Sequence, residues 1–190
     1  MDEKDLKRLA RDIQALYRLL RREMKARWNR DLPLQELLTD RWERAGNLGF
    51  GEGTSVYQSA YILWDVKVGE HTWIGPNVLI EGRAPVRIGS YCSISAGVQI
   101  YTHDTVLWAL SGGKAPYEVA PVTIGDNCHI GAGTIILKGV EIGHHCVVGA
   151  ASLVNSSLEA YTIAFGIPAR PRGRVIIDEN NKIELKIEND

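Results

Sequence analysis

Five histidines are present among 190 residues, and their settings differ. His71, His144 and His145 fall at outward or corner places of a regular repeat and read as solvated side chains. His103 stands in Tyr101-Thr102-His103-Asp104, where that repeat stops. An imidazole there can take a proton from a hydroxyl or an ammonium near neutral pH, and the neighbouring Asp104 is the carboxylate at hand to orient it. His129 ends a six-residue unit just after the interruption and is expected to line the same cleft. Between the two histidines lie Trp108, Lys114 and Tyr117, with Gly112 and Gly113 to turn the chain. These make either a wall for a polar ligand or a loop that packs on a neighbouring subunit. Cys92, Cys128 and Cys146 share one position of the repeat and have no CxxC spacing, so they read as small buried hydrophobes rather than metal ligands or a redox pair.

The element that must position these residues is itself visible as a period. A large apolar residue recurs every sixth place at Phe50, Val56, Ile62, Val68, Ile74 and Ile80, then at Ile88, Ile94 and Ile100, then from Ile124 through Ile130, Ile136, Ile142, Val148 and Val154. Six is neither the helical 3.6 nor simple alternation, which excludes amphipathic helices and ordinary hairpins over this stretch. Three short strands per coil of about 18 residues give a triangular solenoid whose aliphatic ladder fills the interior. Glycine follows the aliphatic residue at Gly51, Gly69, Gly75, Gly89, Gly125, Gly131, Gly143 and Gly149, where a corner with positive φ is expected. Four places after each aliphatic residue comes a second ladder, nearly all of it small, from Thr54 to Leu158. The architecture expected is a left-handed parallel β-helix of about five coils over residues 48–174, with the loop at 101–123.

Both breaks leave from one corner of the triangle. Ile80 to Ile88 is two residues too long, and Ile100 to Ile124 is far longer. Residues 2–28 carry Leu6, Leu9, Ile13, Leu16, Tyr17, Leu20, Met24 and Trp28 on one helical face. A second short helix is expected near 34–45, and together they make an N-terminal segment over 1–47. The first 30 residues hold ten Lys/Arg against five Asp/Glu, so this helix either packs on the open end of the solenoid or a neighbour, or lies on an anionic membrane surface as a peripheral contact. Residues 175–190 read as a terminal hairpin around Asp178-Glu179-Asn180-Asn181. Lys+Arg of 22 against Asp+Glu of 23 argues against generalised nucleic-acid binding. No apolar run reaches the roughly 20 residues that span a bilayer. The odd cysteine count and charged N-terminus suggest a reduced, cytoplasmic chain.

The units Ile124-Gly125-Asp126-Asn127, Ile130-Gly131-Ala132-Gly133 and Val148-Gly149-Ala150-Ala151-Ser152, closed by Phe165-Gly166-Ile167-Pro168-Ala169-Arg170, resemble the hexapeptide-repeat acyltransferases. The nearest branch is the galactoside and maltose O-acetyltransferases, with the sugar acetyltransferases of surface-polysaccharide synthesis. The resemblance implies a homotrimer with active sites between adjacent β-helices, and acetyl-CoA as acyl donor with no metal. It also implies a loop histidine acting as general base without an acyl-enzyme. On that basis the base matches His103 and an acceptor-orienting asparagine matches Asn77. Places that contact CoA match Ala132, Ala150 and Arg170, with Arg172 or Arg174 near the nucleotide phosphates. The chain departs from the pattern at Asn155-Ser156, where a Thr-Lys pair is common, and at His129, where an aromatic residue is common. N-acetylation of a nucleotide-linked amino sugar is mechanistically close. A γ-type carbonic anhydrase shares the fold but needs a close pair of zinc histidines that His103, His129, His144 and His145 do not offer. A non-catalytic binding protein on the same solenoid would leave His103 without a task.

Overall fold

Hydrogen bonds between successive coils set the architecture in the computed structural model, which describes residues 1–188. One face of the triangle stacks six parallel rungs in register: β1 (Ser55–Val56), β3 (Trp73–Ile74), β5 (Ser93–Ile94), β10 (His129–Ile130), β13 (Val147–Val148) and the start of β15 (Thr162–Gly166). The second face stacks the starts of β2 (Tyr61–Val68) and β4 (Leu79–Ile88) with β6 (Gln99–Ile100), β11 (Ile135–Ile136) and β14 (Leu153–Val154). The third stacks the ends of β2 and β4 with β9 (Val122–Ile124) and β12 (Glu141–Ile142). Six rungs on the first face make this a parallel β-solenoid of about six turns, one more than the period suggests, because β15 extends the stack past the last regular unit.

The aliphatic ladder is the core. Ile74, Ile80, Ile94, Ile100, Ile124, Ile130, Ile136 and Ile142 are fully buried, and only Ile62 of the ladder is merely half-buried. The glycines that follow the ladder residues have a different reason from the one expected. None of them has positive φ. A Cβ on Gly131 would sit 2.4 Å from the Ala150 backbone nitrogen, and one on Gly125 would sit 2.7 Å from that of His144. Glycine is required there for the approach of the next coil. The left-handed residues come two places later, at His71, Asn77, Tyr91, Asn127, His145 and Ala151.

The second ladder is also buried, and on the first face it is more than filler. Thr54 Oγ1 donates to the Gly69 carbonyl one coil on and accepts from the Thr72 N–H, at 2.7 and 2.9 Å. Thr72 repeats the pattern with Gly89 and Cys92, at 2.9 and 3.0 Å. Each thiol of the column then donates at 3.1 Å to a carbonyl of the next coil: Cys92 to Gly125, Cys128 to Gly143 and Cys146 to Glu159. The three cysteines are free and buried.

At the end of the stack β16 (Ala169–Ile177) turns back antiparallel on β15, and β17 (Ile183–Ile187) pairs antiparallel with β16. The chain divides into two compact units, Met1–Asp40 and the remainder from Arg41. The first holds α1 (Glu3–Trp28), closed by a capping box between Asp2 and Asp5, and α2 (Leu34–Leu37). Arg21 grips Asp31 with two short bonds of 2.6 and 2.5 Å, which folds the linker back on α1. No residue of α1 is buried, and Leu6, Leu9, Ile13 and Leu16 stay exposed. Among the described residues no helix is long and apolar enough to cross a membrane. In the second unit α3 (Arg41–Asn47) leads into the first coil, so the single helix expected near 34–45 is two, parted at Leu38–Asp40.

Candidate active site

The corner between the second and third faces is where the coil cannot close tightly. In β2 and β4 the chain crosses it as one continuous strand, and after β6 it leaves altogether. The excursion is ordered. β7 (His103–Asp104) pairs antiparallel with β8 (Glu118–Val119), and the short α4 (Val106–Leu110) caps the pair. Lys138, on the next coil, bridges Asp104 at 3.1 Å and Glu118 at 2.9 Å, which holds both feet of the loop to the solenoid. Asp104 also accepts the Val106 N–H at 3.0 Å. Asp104 is therefore a loop anchor, and its expected role of orienting His103 is corrected: side chains of adjacent strand residues point to opposite sides.

The carboxylate that does orient His103 comes from one coil below. Glu81 Oε2 lies 2.6 Å from His103 Nδ1. The Glu81 side chain is 4% exposed and that of His103 is 22% exposed. The carboxylate also accepts the Thr102 N–H at 3.1 Å and the Arg83 N–H at 2.7 Å. Burial pushes the Glu81 carboxyl up, but His103 and these backbone donors outweigh it and hold it below the ordinary range. An ionised Glu81 can only accept, so Nδ1 is the donor, and in the neutral ring this leaves the lone pair on Nε2. Thr102, fully buried, ties the two coils again by donating to the Glu81 carbonyl at 2.9 Å and accepting the Ala84 N–H at 3.0 Å. That leaves a half-buried imidazole with its basic nitrogen free, held by a buried anion.

Around it the loop supplies aromatic surface. Tyr117 lies 6.1 Å from His103 by ring centroids, and Trp108 meets Tyr117 edge-on at 5.8 Å. Lys114 is exposed farther along the loop, and only its backbone is held, by Ser111 Oγ at 3.1 Å.

The other expected residues lie elsewhere. His129 is exposed on β10, on the face opposite this corner, so within one chain it does not line the cleft. Asn77, Ala132 and Ala150 gather at the corner between the first and second faces. There the turns stack through bonds such as Gly97 N–H to the Pro76 carbonyl, Gly133 N–H to the Ala96 carbonyl, and Ala151 N–H to the Ala132 carbonyl, at 2.8–2.9 Å. All three side chains are exposed. Arg170, Arg172 and Arg174 follow on β16, with Arg170 Nη1 bonded to the Ala169 carbonyl at 2.8 Å and Arg174 3.5 Å from the Thr162 hydroxyl. His144 and His145 pack with Tyr161, and His71 stacks on Tyr91, at the remaining corner. Among the described residues no group of three or more His, Cys, Asp or Glu is placed to hold a metal ion.

A family model described as the hexapeptide repeat of succinyl-transferase matches residues 65–102 and 121–155. Among curated proteins, the dTDP-4-amino-4,6-dideoxy-D-glucose acyltransferase of Escherichia coli is 33% identical over 57% of this chain and 58% of its own length. Nodulation protein L of Rhizobium leguminosarum bv. viciae is 35% identical over 69% of this chain and 72% of its own length. The chain spans between 32% and 60% of the length of the first three curated relatives it matches. Among solved structures, a hexapeptide-repeat-containing acetyltransferase of Vibrio cholerae O1 biovar eltor, complexed with acetyl coenzyme A, is 26% identical with a TM-score of 0.64, covering 86% of this chain and 87% of that one. With the six-residue repeat, its solenoid and a relative alike over most of both lengths, the chain belongs to the hexapeptide-repeat acyltransferase family.

Proposed function

We propose that this protein transfers an acetyl group from acetyl-CoA to a hydroxyl of a sugar or surface-polysaccharide precursor, with His103 as general base. The observation that carries the reading is the 2.6 Å contact between buried Glu81 and His103 Nδ1, which leaves Nε2 to accept a proton. In the step proposed, Nε2 takes the hydroxyl proton as the oxygen attacks the thioester carbonyl. The C–O bond forms, the C–S bond breaks, and the imidazolium returns the proton to the departing CoA sulfur. Glu81 stays ionised throughout and stabilises the transient imidazolium. No acyl-enzyme is needed, and the one hydroxyl against Glu81 among the described residues, that of Thr102, is fully buried and spent on the Glu81 carbonyl and the Ala84 N–H.

For the donor, the corner of Ala132 and Ala150 suits an extended thioester arm, since it offers small side chains and stacked backbone. The arginines of β16 suit the nucleotide phosphates. That corner and the His103 corner are different corners of one triangle, which supports sites built between adjacent copies of a homotrimer. The relatedness to an enzyme named for an amino sugar favours one second reading: the same base can deprotonate a sugar ammonium, making an amide instead of an ester.

Release of CoA thiol from acetyl-CoA, measured over a panel of neutral, phosphorylated and amino sugars, tests the reaction. His103→Ala is expected to lower the rate by on the order of 10²–10⁴-fold with CoA binding unchanged. Wild-type activity in that variant, or no turnover with any acceptor, overturns the proposal. Lability of the product to mild alkali distinguishes an ester from an amide.

A further inference from the structure

Ile80 to Ile88 is the shorter of the two breaks in the repeat, and the chemistry above uses only its first residue. Across it β4 passes the corner without a tight turn. Gly82 is buried there, where a Cβ would meet the Asp65 carbonyl oxygen at 2.6 Å, and Arg83 beside it is exposed. The backbone of Arg83 is bonded to the Glu81 carboxylate, whose other oxygen holds His103, so one anion fixes both residues. The guanidinium carbon lies 4.6 Å over the centre of the Tyr117 ring, and that ring is 6.1 Å from His103. Arg83 and the imidazole therefore stand no farther apart than those two distances end to end, about the reach of one sugar unit and its substituent.

Two other cations at this corner are paired. Arg87 pairs with Asp65 through two bonds of 2.9 Å, and Lys138 pairs with Asp104 and Glu118. Arg83 makes no ion pair among the described residues. A ring face fixes the plane of a guanidinium while consuming none of its N–H donors. An arginine seated over a ring face and outside any ion pair, beside a general base, is a preformed receptor for a planar or tetrahedral oxyanion.

We infer that Arg83, seated on Tyr117, is an anion subsite for the acceptor, so that the sugar acetylated at His103 carries a phosphate or carboxylate group. This rests on the reading of His103 as the base. A phosphate would come from a nucleotide-linked or lipid-linked sugar and a carboxylate from a uronic acid.

The test compares wild type, Arg83→Gln and Arg83→Lys with three kinds of acceptor: methyl glycosides, nucleoside diphosphate hexoses and glucuronides. Arg83 is exposed, so the fold should survive. For the anionic acceptor used, Arg83→Gln should raise KM at least about tenfold with kcat and the KM for acetyl-CoA little changed. Arg83→Lys should recover part of the loss. Which of the two anionic classes responds identifies the source of the charge. An unchanged KM, an equal loss on methyl glycosides, or a rise in the KM for acetyl-CoA overturns the subsite. Calorimetric binding of UDP and of glucuronate, at saturating CoA, separates this inference from the one beneath it. Binding of either that Arg83→Gln abolishes, in a protein that turns over no acceptor, keeps the subsite and sinks the reaction. Equal binding by both proteins sinks the subsite alone.

Discussion

A carboxylate at the foot of an imidazole decides which ring nitrogen carries the proton, and in this protein that carboxylate is Glu81. Glu81→Gln keeps the shape but can donate an N–H to Nδ1, which would move the proton to Nε2 and remove the base. The expected result is a fall in kcat of about 10²–10⁴-fold with KM for acetyl-CoA unchanged, by the logic that governs any base oriented by a buried acid. A merely structural Glu81 would leave kcat per folded molecule alone, whatever the variant does to stability. The same variant carries a pH signature. The folded Glu81 carboxyl sits below its ordinary value of 4.5, so its stabilisation is complete above that value and is lost as pH falls through the folded one. The urea midpoint of wild type should therefore exceed that of Glu81→Gln at neutral pH, with the gap closing in acid. A gap that widens in acid would contradict the assignment. His103 is legible in the sequence because the repeat stops beside it. Its partner is harder to read, since Asp104 is adjacent in sequence while Glu81 is adjacent only after counting one coil. The pairing of Ile80 with Ile100 holds the missing information: whatever follows Ile80 lies beneath whatever follows Ile100.

At the scale of the coil, side chains of one column connect each turn to the next, and their donors matter as much as their size. The period shows that Thr54, Thr72, Cys92, Cys128 and Cys146 are inward and small. It cannot show that each donates to a carbonyl of the next coil, because spacing reveals burial and not hydrogen-bond direction. The glycines teach a similar lesson: their place was readable, yet the reason is contact with the next backbone, which depends on coil separation. The column gives a sharp prediction. Thr72 Oγ1 satisfies both the Gly89 carbonyl and the Cys92 N–H. Thr72→Val preserves volume and strands both groups in the core, so it should cost about 1–3 kcal/mol in urea unfolding. Thr72→Ser keeps the hydroxyl and should lose less than Val does. Equal stability of the Val variant and wild type would mean the column is only packing.

At the scale of the whole molecule, the triangular section separates the residues proposed to act in one reaction. His103, Glu81 and Tyr117 occupy one corner, whereas Asn77, Ala132 and Ala150 occupy another, and a rigid stack of rungs offers no hinge to join them. Two copies side by side can place one corner against the other, and closed threefold symmetry then yields three equal sites. Sedimentation should accordingly report a trimer. The sharper test mixes two inactive chains. His103→Ala removes the base, and Ala150→Trp fills the exposed corner where the thioester arm is proposed to lie. If each site takes its base from one copy and its donor corner from the next, co-refolded chains in equal amounts will assemble some sites with both parts intact. Random assortment predicts recovery of roughly a quarter of wild-type activity. If both parts came from the same chain, every site in the mixture would carry one lesion, and activity would stay at the level of the separate variants however the chains were combined. Restored thiol release after co-refolding, absent when the two proteins are mixed already folded, is the outcome expected of sites shared between neighbouring copies.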